Sequence, residues 1–465
     1  MTPVRVIRGQ ALPTTDHVPV VIIGAGACGL AVAIRLRDSG IDCVLLERDA
    51  LPGGSTALSS GFIPAAGSAL QKRLGISDSQ TTFSEDIQTK AHGDAAPHLV
   101  TAYTAAVVRA IDALEQQHGL PFEVLDGFLY PGHRARRMHT VPERTGIALM
   151  TRLEQAATTA GADILTNAVV SELWIDVDDV IQGVGYCHPG GALEYLACDL
   201  LVVACNGFGG NASMVGDLLP AMRDATFAGH AGNDGSAITW GMQLGARLAD
   251  LGGYQGHGSW VTPQGALMSW AVMMAGGVQL NANGVRFHDE TAGYSEAAIH
   301  VLAQPGGIAW NVFDGPLLEL AREFPDFVEA EQAGAVKPAA DIAALATLIG
   351  CDASALHVTL AAMQPGDDDD AAGRRFQRAL VAPYYAVKVT GALFHTQGGL
   401  DIDAHCRVLR TDGKPFPNLL AAGGAARGVS GNAVWGYLSG NGLLSAIGGW
   451  LAAETAATQL ASPPH

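Results

Sequence analysis

Short apolar runs that stop at glycine turns set the pattern of this chain. The first, Val20-Val21-Ile22-Ile23, is continuous rather than alternating, as expected of a strand covered on both faces. It meets the turn Gly24-Ala25-Gly26-Ala27-Cys28-Gly29, and an amphipathic stretch from Leu30 to Ser39 follows. A second apolar run, Cys43 to Leu46, closes on Glu47. Asp199 to Cys205 is another strand-like run and enters the glycine turn Asn206 to Asn211. Asn418 to Ala422 is a third, ending at Gly423-Gly424. Strand runs this far apart predict one sheet assembled from distant segments. Trp435 to Ala453 is apolar but holds five glycines, which predicts a buried helix preceded by a turn. The stretch between the second and third strand groups has its own helical patterns and predicts an inserted domain. The expected division is 1–224, 225–375 and 376–465, the outer two forming one domain. The acidic run Asp367–Asp370 is expected to be a solvated loop.

Residues 20–47 carry more than a fold signal. Strand, Gly-x-Gly-x-x-Gly, helix, strand and terminal acid together make a complete dinucleotide-binding fingerprint. Gly24 allows the tight turn, Gly26 lets backbone approach a pyrophosphate, and Gly29 lets helix and strand pack closely. The helix start presents free N–H groups and a positive dipole end to phosphates. Glu47 is placed to accept hydrogen bonds from a ribose diol.

Composition narrows the class. A length of 465 residues exceeds one ordinary core and predicts two domains. The net charge of −18 argues against a nucleic-acid partner and against docking on anionic lipid. The seven cysteines show no metal-binding spacing, and no metal is expected. Their odd number without a framework points to a reducing compartment. Met1 to His17 has no apolar signal core, and no long charge-free apolar run occurs, so a soluble, cytoplasmic protein is expected.

Beyond the fingerprint, ordered motifs along nearly the whole chain resemble the superfamily of FAD-dependent fumarate reductases, succinate dehydrogenases and 3-ketosteroid dehydrogenases. Pro52 to Gly61 resembles its loop beside the flavin. Ala204 to Asn211 is similar to its Ala-Thr-Gly-Gly-Phe-Gly-Gly-Asn segment, and Gly229 to Gly235 with Gly245-Ala246 to its Thr-Gly-Asp-Gly…Gly-Ala segment. Gly284 to Glu290 resembles Gly-x-Arg-Phe-x-x-Glu. Pro383 to Ala386 and His395 to Leu400 resemble Pro-Phe-Tyr-Ala-Val and His-Thr-Met-Gly-Gly-Leu, and Gly436 to Leu444 the last glycine turn. The resemblance implies an α/β fold, a Rossmann-like FAD-binding domain with an inserted α+β capping domain, and non-covalent FAD.

It also implies where the cofactor touches. Ala27, Cys28 and Arg48 join the fingerprint residues around the adenosine half, with Val170 nearby. Gly54, Ser55, Thr56, Ser59, Ser60 and Gly61 form the loop along the ribityl chain and ring. Ala204, Cys205, Asn206, Gly207 and Asn211 follow the second strand. Gly399, Gly423, Gly424, Asn441, Leu443 and Leu444 complete the set. A helix starting near Asn441-Gly442 would aim its dipole at the flavin edge that gains charge on reduction. The family commonly carries Glu after Ala-Ala-Gly, where this chain has Gly424.

The same resemblance supplies candidates for the chemistry. Two family histidines persist, His257 in Asp250 to His257 and His395 in the His-Thr-x-Gly-Gly motif, each expected to hydrogen-bond a substrate oxygen. The fumarate-reductase arginine after Arg-Phe-x-x-Glu is absent, and Ala292-Gly293-Tyr294-Ser295 stands there. Tyrosine at this place is the ketosteroid-dehydrogenase pattern. A tyrosinate in a site of positive potential is strong enough to take the proton beside a ketone. Arg427, in a segment shorter than the family's Asn-Arg-Leu-Gly-Gly-Asn, is a candidate carboxylate clamp. The implied activity is insertion of a C=C bond beside a carbonyl of a small-molecule substrate, a smaller cyclic ketone or oxo-carboxylate, with the electron acceptor open. The alternative is reduction of an α,β-unsaturated carboxylate. A subunit that only relays electrons is less favoured, because no Cys-x-x-Cys-His or iron–sulfur cysteine set is present.

Overall fold

The computed structural model describes residues 4–126, 129–366 and 372–461, so the run Asp367–Asp370 lies outside the described residues. The chain forms two compact units. One comprises Met1–Leu218, Gly229–Tyr254 and His395–His465; the other comprises Leu219–Ala228 and Gln255–Phe394.

The first unit is built on a nine-stranded sheet. Leu193–Val203 lies at its centre and pairs in parallel with His17–Ile23 on one side and Pro415–Ala421 on the other. His17–Ile23 pairs in parallel with Cys43–Leu46, which pairs with Asp163–Leu165. Val20, Val21 and Ile22 are fully buried, as are Leu201 and Val202, because helices and loops cover both faces. The three predicted runs thus join one sheet. Register makes this useful: Ile23 lies opposite Val203, and Val203 opposite Ala421. The glycine turns that follow each strand therefore emerge together at the carboxyl ends of parallel strands, where open α/β sheets bind ligands. Backbone bonds tie the turns to one another: Ala204 N–H donates to Ile23 at 2.9 Å and Ala422 N–H to Val203 at 3.1 Å.

The helix after the fingerprint spans Ala27–Asp38, and Ser39 ends it. The predicted single helix in 435–453 is instead two, Asn441–Ile447 and Trp450–Ala461. They break at Gly448-Gly449, where any side chain on Gly448 would strike the ring of Tyr103.

The second unit has a seven-stranded sheet, with Tyr384–Thr396 paired antiparallel to Ile308–Asp314 and to Lys337–Ala339. Its boundaries differ from the expected 225–375. Residues 229–254 group with the first unit, since Arg48 pairs with Asp234 at 2.8 Å and Val6 N–H donates to Gln243 at 2.7 Å. Residues 376–394 group with the second unit, because Tyr384 to Thr390 hydrogen-bonds along the whole strand Ile308–Asp314. Among the described residues no single helix is long and apolar enough to cross a membrane.

Candidate active site

The three fingerprint glycines are required for different reasons. A Cβ on Gly24 would lie 2.8 Å from the carbonyl oxygen of Ala204, and φ there is +103°. One on Gly29 would lie 1.9 Å from the carbonyl oxygen of Gly24. One on Gly26 would meet no protein atom within 4 Å. Packing therefore demands the outer two, whereas Gly26 borders open space that a ligand can fill. Glu47 is buried, and both carboxylate oxygens accept backbone N–H groups, from Ala25 at 2.7 Å and Asp49 at 2.9 Å. Burial pushes its carboxyl up, against the pull of those two bonds. Glu47 thus braces the turn first, and a ribose must use its remaining lone pairs. Arg48 is occupied by Asp234 and the carbonyl of Gly232.

The loop after Pro52 comes close to this turn: a Cβ on Gly54 would lie 4.0 Å from the Cα of Gly26. Ser55 Oγ accepts from Asn206 Nδ2 at 2.8 Å and from Asn233 Nδ2 at 3.0 Å. Thr56 is buried, while Ser59 and Ser60 are exposed. Ser59 Oγ donates to the carbonyl of Thr56 and accepts from Gly61 N–H, so it shapes the loop. Gly61 presses on the backbone of Thr145. Val170 is buried in the strand Val169–Ile175.

After the second strand, Ala204 is buried and Cys205 half-buried. Burial pushes the thiols of Cys28 and Cys205 up to about 12, so both are protonated packing groups. Cys28 packs against Gly423. Gly207 leaves room for Thr396 Oγ1, and Gly399 for the backbone of Ala425. Asn211 holds the start of the helix Ala212–Leu218 through Met214 N–H and reaches the carbonyl of Asp234. A Cβ on Gly424 would lie 2.2 Å from Asn206 Oδ1, so the glutamate common in the family has no room there. Leu443 and Leu444 are buried in the core. Asn441 is fully buried with Oδ1 unpaired, as are Oδ1 of Asn233 and Oγ of Ser445. Unpaired buried oxygens in these segments, with the open ground before Gly26, fit a polar cofactor.

The chemistry candidates fall into two groups. In the second unit, Tyr294 begins the helix Tyr294–Leu302, and its ring stacks on His257 at 4.9 Å and 17°. His257 also stacks with Phe394 at 5.7 Å and meets Trp270 edge-on at 5.7 Å. Burial lowers the His257 pKa to about 3, so the ring is neutral. Its Nδ1 accepts from Ser259 N–H at 3.1 Å, which leaves the proton on Nε2.

In the first unit, His395 is set by a directed chain of hydrogen bonds. Asn441 Nδ2 donates to Ser430 Oγ at 3.0 Å, Ser430 to Gln397 Oε1 at 3.0 Å, and Gln397 Nε2 to His395 Nδ1 at 3.2 Å. His395 is likewise neutral, its pKa lowered to about 4 by burial; its Nδ1 faces both the Gln397 amide at 3.2 Å and the carbonyl of Thr396 at 3.3 Å, and Nε2 is on the far side of the ring. The glycine at 442 makes room for that nitrogen, 2.8 Å from where a Cβ would sit. The ring of Tyr437 lies edge-on to His395 at 5.6 Å.

Arg427, the expected carboxylate clamp, is held by acids of its own chain. Its guanidinium grips Asp250 with Nε at 2.6 Å and a second nitrogen at 3.2 Å, and reaches Asp401 at 3.4 Å. Three of its five N–H donors are taken in this way, and its charge is balanced by acids of its own chain. Burial pushes the Asp250 carboxyl up, and Arg427 pulls it back.

Sequence reasoning missed Asn233, Tyr437 and the Gln397–Ser430 relay. Tyr437 had one local signal, a tyrosine inside the glycine-rich turn Gly436 to Gly442. Asn233 and Gln397 lie inside the motif segments Gly229 to Gly235 and His395 to Leu400, whose spacing does not say what these side chains touch.

The family described as FAD binding domain matches residues 19–443. A probable fumarate reductase, Ifc3, of Shewanella frigidimarina is 25% identical over 450 residues, covering 95% of this chain and 75% of that protein. A 4-oxocyclohex-2-ene-1-carboxylate 5-dehydrogenase of Sinomonas cyclohexanicum is 23% identical over 543 residues and covers 90% of each chain. The solved 3-ketosteroid-Δ4-(5α)-dehydrogenase of Rhodococcus jostii RHA1 superposes with a TM-score of 0.78 at 24% identity, over 97% of this chain and 99% of that one.

Proposed function

This chain belongs to the FAD binding domain family, and from that premise we propose that it desaturates a cyclic ketone next to its carbonyl. It is a flavin-dependent oxidoreductase of the class acting on CH–CH groups. The observation that carries the finer reading is Tyr294 stacked on neutral His257, where a fumarate reductase would be expected to hold an arginine. FAD held by the fingerprint turn at Gly26 and the loop after Pro52 would supply the acceptor for the hydride that leaves the β-carbon. Tyr294, as the tyrosinate, takes the α-proton and becomes the neutral phenol, and the electron pair of that C–H bond becomes the new π bond. His257 donates from Nε2 to the carbonyl oxygen, which gathers negative charge as the proton leaves. A neutral imidazole does this without surrendering its own proton. His395 receives the same assignment, toward a substrate oxygen, and Tyr437 beside it a supporting one.

The aromatic company of His257, namely Tyr294, Phe394 and Trp270, favours a flat ring over a small dianion. The relative acting on 4-oxocyclohex-2-ene-1-carboxylate supports a single ring that bears a ketone. Reduction of an unsaturated carboxylate needs a cation for each carboxylate, and Arg427 is engaged by Asp250 and Asp401. We keep the chain in the cytoplasm, a reading supported by seven free cysteines.

Anaerobic mixing of the FAD-loaded protein with cyclohexanones, oxocyclohexane carboxylates, steroid ketones and dicarboxylates tests this. Bleaching of the flavin by cyclic ketones is expected. Turnover of fumarate-like alkenes by the reduced protein, with no ketone desaturated, would transfer the assignment to the alternative.

A further inference from the structure

The hydroxyl of Ser55 sits in an unusual hydrogen-bond position. Asn206 Oδ1 accepts from the N–H of Gly207 at 3.0 Å, so its Nδ2 must be the atom facing Ser55. Asn233 Nδ2 also donates to the carbonyl of His230 at 2.6 Å, which fixes that amide the same way round. Ser55 Oγ therefore faces two N–H donors and accepts from both. A hydroxyl has two lone pairs and one hydrogen. With both pairs engaged, Ser55 can only donate.

Two comparisons show that this arrangement belongs to this chain. Against the motifs it resembles, Asn206 stands at the first glycine of Ala-Thr-Gly-Gly-Phe, and Asn233 at the first glycine of Thr-Gly-Asp-Gly. Both replaced glycines send side chains to one oxygen. The third departure, Gly424 in place of glutamate, leaves the space that the Asn206 carboxamide occupies. The three changes form one compensated set.

We propose that Asn206 and Asn233 are positioning residues that hold Ser55 as an obligate donor to an anionic oxygen of the FAD diphosphate. The place follows from Gly54, whose backbone borders Gly26 at the open ground of the fingerprint turn. An oxygen that carries charge and offers only lone pairs is the partner such a donor selects.

Rebinding of FAD and of ADP to the deflavinated full-length chain tests the assignment, with the thermal midpoint of the FAD-free chain as control. Ser55→Ala should weaken both ligands about 10- to 100-fold, the range for a hydrogen bond to a charged group, and lower the midpoint of the FAD-loaded chain by more than that of the FAD-free chain, which loses only the acceptor of the two asparagine amides. Ser55→Thr, which keeps the hydroxyl, should restore most of the affinity. Asn206→Gly and Asn233→Gly should each weaken FAD in the presence of Ser55 and cost little more once Ser55 is alanine. Gly424→Ala should be harmful beside Asn206 and tolerated with Asn206→Gly. FAD weakened with ADP unchanged would overturn the diphosphate assignment. Additive losses from Ser55 and the asparagines would overturn their positioning role. An equal fall in midpoint with and without FAD would reduce Ser55 to a structural hydroxyl.

Discussion

Around Gly24 to Gly29, backbone does the recognising. Gly24 and Gly29 are excluded from carrying side chains by carbonyl oxygens, and Gly26 borders empty ground. Around His257 the reverse holds. Its neutrality, its tautomer and its neighbours come from side chains and from one backbone N–H of Ser259. Backbone sites tolerate no added atoms but need little particular chemistry nearby. Side-chain sites tolerate changes of shape but lose function when one ionisable atom goes. The two regions should therefore fail differently.

The largest contrast is within the fingerprint itself. Gly29→Ala forces an atom to within 1.9 Å of a backbone oxygen, and the chain should fail to fold, as seen by loss of a cooperative melt. At Gly26 a Cβ meets no protein atom within 4 Å, so Gly26→Val should give a folded but colourless protein. If Gly26→Val retains FAD at wild-type occupancy, the phosphates lie elsewhere.

Tyr294→Phe is the corresponding change in the second region. It keeps the stacked ring and removes only the oxygen. Fold and FAD content should stay, and flavin reduction by substrate should slow by roughly 10²–10⁴, the usual worth of a positioned base. A wild-type rate in stopped-flow absorbance would leave Tyr294 as a wall.

Arg427 gives a smaller effect that separates clamp from brace. Arg427→Gln takes the ion-pair partner from Asp250, while Asp401 keeps Arg247, and should lower stability by about 1–3 kcal/mol. Asp250→Asn combined with it should cost less than the sum of the two, measured by denaturant melts in a double-mutant cycle. A raised KM with an unchanged melt would restore the clamp.

The last effect is on acid stability and shows only as the pH is lowered. His257 stays neutral in the fold down to about pH 3, whereas an unfolded histidine takes up its proton near pH 6.5. Between those values the unfolded chain binds the extra proton, so stability falls as pH falls. His257→Gln should make the melt less sensitive to pH across that window. An unchanged slope would mean that other groups dominate it.

Legibility followed the range of the interactions. The fingerprint, the three buried strands and the tyrosine in place of an arginine all lie within short stretches, where spacing alone dictates turn, helix and strand. The family and the cofactor follow from those stretches. What each polar side chain does was decided by folding. Arg427 and Asp250 are 177 residues apart, and Ser55 lies 151 and 178 residues from its two asparagines. Tyr437 meets His395 only because a glycine turn returns to that strand end. Residues 229–254 joined the cofactor-binding unit through the pairing of Arg48 with Asp234, again a contact between distant segments. Local backbone geometry repeats wherever its residues recur and can be read along the chain. An ion pair or a shared hydroxyl depends on which segments the sheet brings together, and only the tertiary structure decides that.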